Sequence, residues 1–213
     1  MGMDAAAVVQ ATKEHLPAMS ALLGRSFETD PIARYLVGET GSGAHARGAG
    51  DKIAWLFGRS AQYAMRSGCA YTTPDVRGVA AWLGPMHPRM PFMQAVSLGL
   101  AAAPLKLGPT ALMRLLRFRR LKGRLRRRAV RGPHWYLMLI AVDPPAQGRG
   151  LGAALLQPQL EDADGQRLPC YLETGVESNL GFFQKHGFAV SGHDTLPFGP
   201  KVWGMLRQPR SGK

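Results

Sequence analysis

Gln147, Gly148, Arg149, Gly150, Leu151 and Gly152 form a run with three glycines at two-residue spacing. Backbone free of side chains can turn its N–H groups onto a diphosphate, and a helix starting there adds the positive end of its dipole. Arg149 can contribute a charge-assisted contact to phosphate, and Gln147 can stabilise the turn or donate to an oxygen. The same glycines also suit a plain connection between strand and helix. Two other phosphate-binding patterns compete with this reading. The GxxxxGK[ST] pattern occurs nowhere in the chain. The dinucleotide pattern GxGxxG/A fits more closely, with Gly148, Gly150 and Ala153 in place and Glu173 about 20 to 25 residues further on. Against it, residues 143–147 separate the preceding strand from the glycines, and only 40 residues follow Glu173. That is too little chain for the remaining strands of a dinucleotide domain.

The elements that must position this turn follow from the hydrophobic pattern. Residues 134–142 are aromatic and aliphatic without polar alternation, as in a central strand covered on both faces, and Asp143, Pro144 and Pro145 end it. A helix is expected over residues 150–163, then a strand at 168–173, a helix at 178–186 and strands at 188–191 and 202–206. Pro158 removes one backbone donor inside the first of these helices, at a cost of ~3 kcal/mol, which predicts a kink or an early end near residues 154–157. Upstream, a strand at 8–12 enters an amphipathic helix at 14–27 with Thr12 as its N-cap, and a short helix follows Asp30 and Pro31. Glycines make residues 38–50 a loop, 51–67 read as a helix, and strands at 69–73 and 79–83 flank a turn-rich segment of hairpin length. The apolar stretch 92–105 is 14 residues long, short of the ~20 that span a bilayer, and reads as a buried or lid helix.

A chain of 213 residues, 46% of them hydrophobic, fits one domain over 1–213 with room for an insertion. The first residues lack a basic region followed by a long apolar one, so a cytoplasmic location is expected. Cys69 and Cys170 are far apart and outside any CxxC spacing, so neither a disulfide nor a metal site is expected and both read as small buried strand residues. Residues 114–131 hold ten Lys or Arg and no acid, leaving about +3 of the net charge of +13 for the rest. If this segment is helical, Arg117, Arg120, Arg124, Arg127, Arg128 and Arg131 share one face, and Leu115, Phe118, Leu121, Leu125 and Ala129 share another. A solvated surface helix is the favoured explanation. Nucleic acid is not expected as a partner, contact with a membrane surface is secondary, and a homo-oligomer stays open. A helical basic insertion is assigned to about 89–131.

Ala141, Val142, Asp143 and Pro144, followed by Gln147, Gly150 and Gly152, resemble motif A of the GNAT N-acetyltransferases, (Gln/Arg)-x-x-Gly-x-(Gly/Ala). Leu172, Glu173, Thr174, Asn179, Phe182, Phe183, His186, Gly187 and Phe188 resemble that family's motif B at the expected distance. Residues 134–137, the Leu-Glu-Thr block and Pro200, Val202, Trp203 and Met205 are most similar to the puromycin N-acetyltransferase branch. The likeness covers about residues 134–208 well and 8–37 weakly. It implies an α/β (α+β) GNAT fold, with a mixed, strongly twisted sheet flanked by helices and two central strands splayed to admit acetyl-CoA. Ile140, Ala141 and Val142 would pair with the pantetheine arm like an added strand. By the same likeness the N–H groups of Gly148, Arg149, Gly150, Leu151, Gly152 and Ala153 would hold the pyrophosphate, and Asn179, Phe182 and Phe183 would line the far side. Asn179 equally suits a helix N-terminus.

The implied reaction moves an acetyl group to a primary amine, with a small molecule as the expected acceptor. It needs a neutral nucleophile, a polarised thioester carbonyl and a proton for the thiolate. A backbone N–H at Ala141 or Val142 would polarise the carbonyl. Phe183 stands where many relatives place a Tyr as general acid, and a phenyl ring donates no proton. Tyr136 falls where histone-type relatives carry a basic Glu, and a Tyr with pKa ~10 is a poor base. Glu173 and His134 are the other candidates for proton transfer. A non-catalytic acyl-CoA sensor and a dinucleotide-binding protein are the alternatives. If the basic face borders the pocket, it should favour amines that carry a carboxylate or phosphate.

Overall fold

The computed structural model describes residues 7–38, 48–86, 93 and 97–210. Residues 39–47, and residues 87–92 and 94–96 of the apolar stretch and insertion, lie outside that set, and with them most of the expected loop. The described elements are β1 (Val9–Gln10), α1 (Leu16–Ser26), α2 (Pro31–Val37), α3 (Ala49–Ser67), β2 (Gly68–Thr72), β3 (Gly78–Leu83), α4 (Ala103–Leu107), α5 (Ala111–Ala129) and β4 (Trp135–Val142). They continue with α6 (Leu151–Gly165), β5 (Cys170–Thr174), α7 (Leu180–Lys185), β6 (Ala189–Thr195) and β7 (Lys201–Arg207). Short 3-10 turns precede α1, α4, α6 and α7. The result is a mixed α/β fold. Its seven-stranded sheet has the order β1-β2-β3-β4-β5-β7-β6, antiparallel except where β4 meets β5.

Alternation along the strands divides the core between the two faces of the sheet. Val79 and Ala81 of β3 pack with Met19, Leu22 and Leu23 of α1 and with Ala61 and Ala64 of α3. Ala80 and Trp82, their neighbours, pack with Leu155, Leu156 and Leu160 of α6 and with Phe183 of α7. A third cluster joins Tyr35 and Leu36 of α2, Leu107 of α4, and Leu121 and Leu125 of α5 to Leu196, just after β6, and Val202 of β7. Cys69 and Cys170 are buried in β2 and β5, and burial pushes both thiols up to about 12.

Several local expectations shift. α6 runs unbroken through Pro158 to Gly165, because Leu155, Leu156, Leu160 and Ala163 bury its inner face and outweigh the lost hydrogen bond. α5 is likewise continuous through Gly123. Asp30 accepts from the Ala33 N–H at 2.8 Å and caps α2 with Pro31 at its first turn. One irregularity was not foreseen. Opposite β3, Ala81 pairs with Leu139 and Trp82 with Leu137, so Met138 is an extra residue in β4. The bulge reverses the alternation, and Tyr136 joins Leu139 and Ala141 on the α1/α3 face while Leu137 turns to the α6 face. Among the described residues no helix is long and apolar enough to cross a membrane.

Candidate functional site

β4 and β5 pair only at Trp135 with Cys170, Tyr136 with Tyr171, and Leu137 with Leu172. Beyond those pairs the two strands part, β4 continuing to Val142 and β5 to Thr174. Loss of pairing leaves main-chain groups of β4 facing a slot. The Asp143 N–H donates to the Arg77 carbonyl at 2.8 Å, which fixes the phase of the antiparallel ladder: Ala141 exchanges both bonds with Val79, and Ile140 and Val142 turn away from β3. The backbone of Ala141 therefore belongs to β3 and not to the open edge, a correction to the expected edge set. The carbonyl of Val142 is also engaged, accepting from Ser26 Oγ at 3.1 Å and Gln147 Nε2 at 3.0 Å. The slot is offered both groups of Ile140 and the N–H of Val142.

Where β4 ends, a short 3-10 turn, Pro144–Ala146, leads into the glycine run, and Asp143 is held by Nε and Nη2 of Arg25 at 3.1 and 3.2 Å. Gly148 and Gly150 have φ of 75° and 79°, a left-handed backbone that disfavours a side chain. Gly150 caps α6, and Ala154 is the first residue whose N–H returns to the turn, donating to the Gly150 carbonyl. Among the described residues, the N–H groups of Gly148, Arg149, Gly150, Leu151, Gly152 and Ala153 find no backbone acceptor outside the helix. Donors bunched at the start of a 15-residue helix form an anion site by geometry and dipole. A Cβ on Gly152 would lie 3.2 Å from Phe182 Cζ, so glycine there lets α7 approach α6. Phe182 also packs on Phe183 and on His186.

A cavity of about 100 Å³ lies where β4 and β5 separate. Residues 136–140 and 172–175 line it, together with Phe27, Phe57 and Phe118, the carboxylates of Asp30 and Glu173, and Lys122, Asn179 and Phe183. Asn179 is exposed and makes no capping bond, so its amide is not used by α7. Glu173 Oε2 accepts from the Tyr136 hydroxyl at 2.6 Å, and that hydroxyl accepts from Lys122 Nζ at 3.1 Å. The second oxygen, Oε1, is buried without a partner. Burial pushes the Glu173 carboxyl above its ordinary range, with Lys122 and the Tyr136 bond opposing. Burial and the neighbouring Glu173 charge push Tyr136 well above its usual range. Tyr136 therefore stays protonated and serves as a donor to Glu173, which removes it from the candidate bases. His134 sits apart, 5% exposed at the head of β4, with Nδ1 on the Gly132 carbonyl at 2.8 Å; it does not line the cavity, and burial lowers its pKa.

The basic face of α5 lies outside the cavity. Arg117, Arg120, Arg124, Arg127, Arg128 and Arg131 are exposed and none lines it, because Leu121 and Leu125 hold the opposite side of the helix against the core. The condition for selecting anionic amines is not met. Lys122 is the residue the sequence reading missed. It lies four positions after Phe118 and four before Arg126, on the border of the apolar stripe where a lysine turns inward.

Residues 111–188 match the model of the Acetyltransferase (GNAT) family. Among solved structures, the chain is similar to a histone acetyltransferase HPA2 and related acetyltransferase from Corynebacterium glutamicum, with 22% identity, 97% of each chain covered and a TM-score of 0.64. It is also similar to arylalkylamine N-acetyltransferase 2 from Aedes aegypti, at 12% identity over 96% of this chain and 99% of that one, TM-score 0.64. The ribosomal-protein-S18-alanine N-acetyltransferase of Escherichia coli is similar at 12% identity over 97% and 96% of the two chains, TM-score 0.51. At such identities the likeness is one of fold. The fold is that of the GNAT acetyltransferases, and residues 111–188 carry that family's sequence pattern.

Proposed function

We propose that the protein is an N-acetyltransferase that moves the acetyl group of acetyl-CoA to a primary amine on a small molecule, the whole of 1–213 acting as one unit with an insertion at about 89–131. One observation carries this reading: the open edge of β4 leads from a turn of unengaged N–H groups to a buried carboxylate with a free oxygen. The residues present fit the cosubstrate. N–H groups at Gly148, Arg149, Gly150, Leu151, Gly152 and Ala153 would take the pyrophosphate, with Gln147 holding the turn to β4. Ile140 and Val142 would pair with the pantetheine arm, and Asn179, Phe182 and Phe183 would bound it from the α7 side. Bound there, acetyl-CoA supplies an activated acetyl group as a thioester.

The chain's own residues would do the rest. Glu173 accepts a proton from the incoming amine, either directly or through one water, which frees the nitrogen lone pair to attack. The Val142 N–H would stabilise negative charge developing on the carbonyl oxygen. Phe183 supplies no proton to the departing thiolate, which takes up the proton that the attacking nitrogen loses on becoming an amide, so rate comes mainly from holding two reactants together in the slot. Phe27 and Phe57 stack at 4.8 Å and Phe118 and Ile32 complete an apolar wall, which suits an amine on an aromatic or aliphatic body. A thermal-shift titration tests the first half of the proposal: acetyl-CoA should raise Tm in proportion to the logarithm of its concentration above Kd. A shift with NAD and none with acetyl-CoA would overturn it.

A further inference from the structure

We propose that Lys122 is a positioning residue for Glu173, acting through the phenol of Tyr136, so that α5 supplies part of the proton-transfer machinery. The inference rests on the reading of Glu173 as proton acceptor. A lysine ammonium only donates and a phenol carries one hydrogen, so the contacts from Nζ to Oη at 3.1 Å and Oη to Oε2 at 2.6 Å run in one direction. Lys122 fills the phenol's acceptor site, and the phenol's hydrogen is left for Glu173. Oε2 is thereby tied; Oε1 has no partner within hydrogen-bonding geometry, although the Tyr171 hydroxyl, likewise unpartnered, lies near enough to favour the ionised carboxylate, and Oε1 is the oxygen assigned the amine proton.

The placement of Lys122 is over-determined. Leu121 and Leu125 bury the helix against the core on either side of it, and Arg124 holds Asp194 of β6 at 2.8 Å. Its ammonium lies 4.8 Å from the Phe118 ring centroid and 5.4 Å from that of Tyr136, faces that favour the charged form while burial opposes it. The bulge at Met138 is what turns Tyr136 to the face where α5 can reach it. The other charged and titratable groups around Glu173 are Arg126 of α5, whose guanidinium sits 5.2 Å over the Tyr136 ring, Tyr171 of β5, and Asp30 at the head of α2. Lys122 and Arg126 favour the ionised carboxylate. Losing Lys122 therefore moves the titration of Glu173 upward.

The test is the pH dependence of kcat/KM for CoA-thiol release from acetyl-CoA and an aromatic primary amine, measured on the full chain together with acetyl-CoA affinity. Lys122→Met should move the acid limb up by roughly one pH unit, lower kcat and leave acetyl-CoA Kd unchanged. Tyr136→Phe should move it in the same direction. In the double variant kcat should fall no further than in Tyr136→Phe alone, since positioning runs through the phenol, while the acid limb moves further, because the ammonium's charge also acts on Glu173 through space. Lys122→Arg should keep the limb within a few tenths of a unit. An unmoved limb in Lys122→Met that still binds acetyl-CoA would leave lysine a mere tie between helix and sheet, and would sink the proposal alone. Full kcat in Glu173→Gln would instead sink the reading beneath it.

Discussion

At Glu173, burial raises the proton affinity of the carboxylate while a phenol donor and a nearby ammonium lower it, and the first effect is the larger. A carboxylate raised in this way gains strength as a base. Its ionised fraction increases with pH, so the acid limb of kcat/KM should lie above the ordinary value of 4.5, readable from initial rates across pH 4 to 8. Glu173→Gln should lower kcat by about 10²–10⁴ while acetyl-CoA binding, measured by calorimetry, stays within twofold. Gly150→Asp tests the other end of the slot. It forces a side chain into a left-handed backbone, at about 1–2 kcal/mol, and sets a carboxylate among donors that would face phosphate. The thermal shift with acetyl-CoA should vanish in a protein that still unfolds cooperatively; an undiminished shift would move the phosphate site elsewhere.

At the scale of elements, β7 is tied to the far end of α6 by Asp164, which receives both Nη atoms of Arg207 at 2.7 and 2.6 Å and the Arg210 N–H at 2.8 Å. Arg207 is 3% exposed, so Asp164→Ala strands a buried guanidinium and should cost on the order of 3 kcal/mol in urea unfolding. The Arg207 bonds hold Asp164 below the ordinary carboxylate range. Its contribution is complete above the unfolded-state pKa and is lost as pH falls through the lower folded one, so acid unfolding of wild type and variant should converge there. Most elements were legible in the sequence. The uninterrupted apolar run of β4, the glycine turn and the helix behind it each carry a local signal that packing merely confirms. The bulge at Met138 carries none, because it is set by where β3 and β5 each pair with β4. That is why Tyr136 reads from sequence as a poor base and not as the donor to Glu173. Pro158 misled in the opposite sense, its local penalty being overridden by the buried face of α6.

For the whole molecule, the exposed positive charge lies apart from the chemistry. No Asp or Glu occurs between Asp75 and Asp143, and the exposed arginines of α5 line the outside of the helix that closes the cavity. Exposed charges are screened within about 8–10 Å at physiological salt, so raising ionic strength should change relative kcat/KM among amine acceptors by less than about threefold. Aromatic and aliphatic primary amines should outrun spermidine at every salt concentration, as the Phe27, Phe57 and Phe118 wall requires. A strong salt-dependent preference for anionic amines would return the basic face to the acceptor site. The measurement that bears most directly on the central claim follows both products of one reaction: free CoA thiol and acetylated amine, from acetyl-CoA and an aromatic primary amine. The slot between β4 and β5 with Glu173 at its apex predicts equal yields of the two, abolished by Gly150→Asp and reduced at least a hundredfold by Glu173→Gln. Acetyl-CoA bound tightly with neither product formed across a broad amine panel, or thiol released with no acetylated amine, would contradict it.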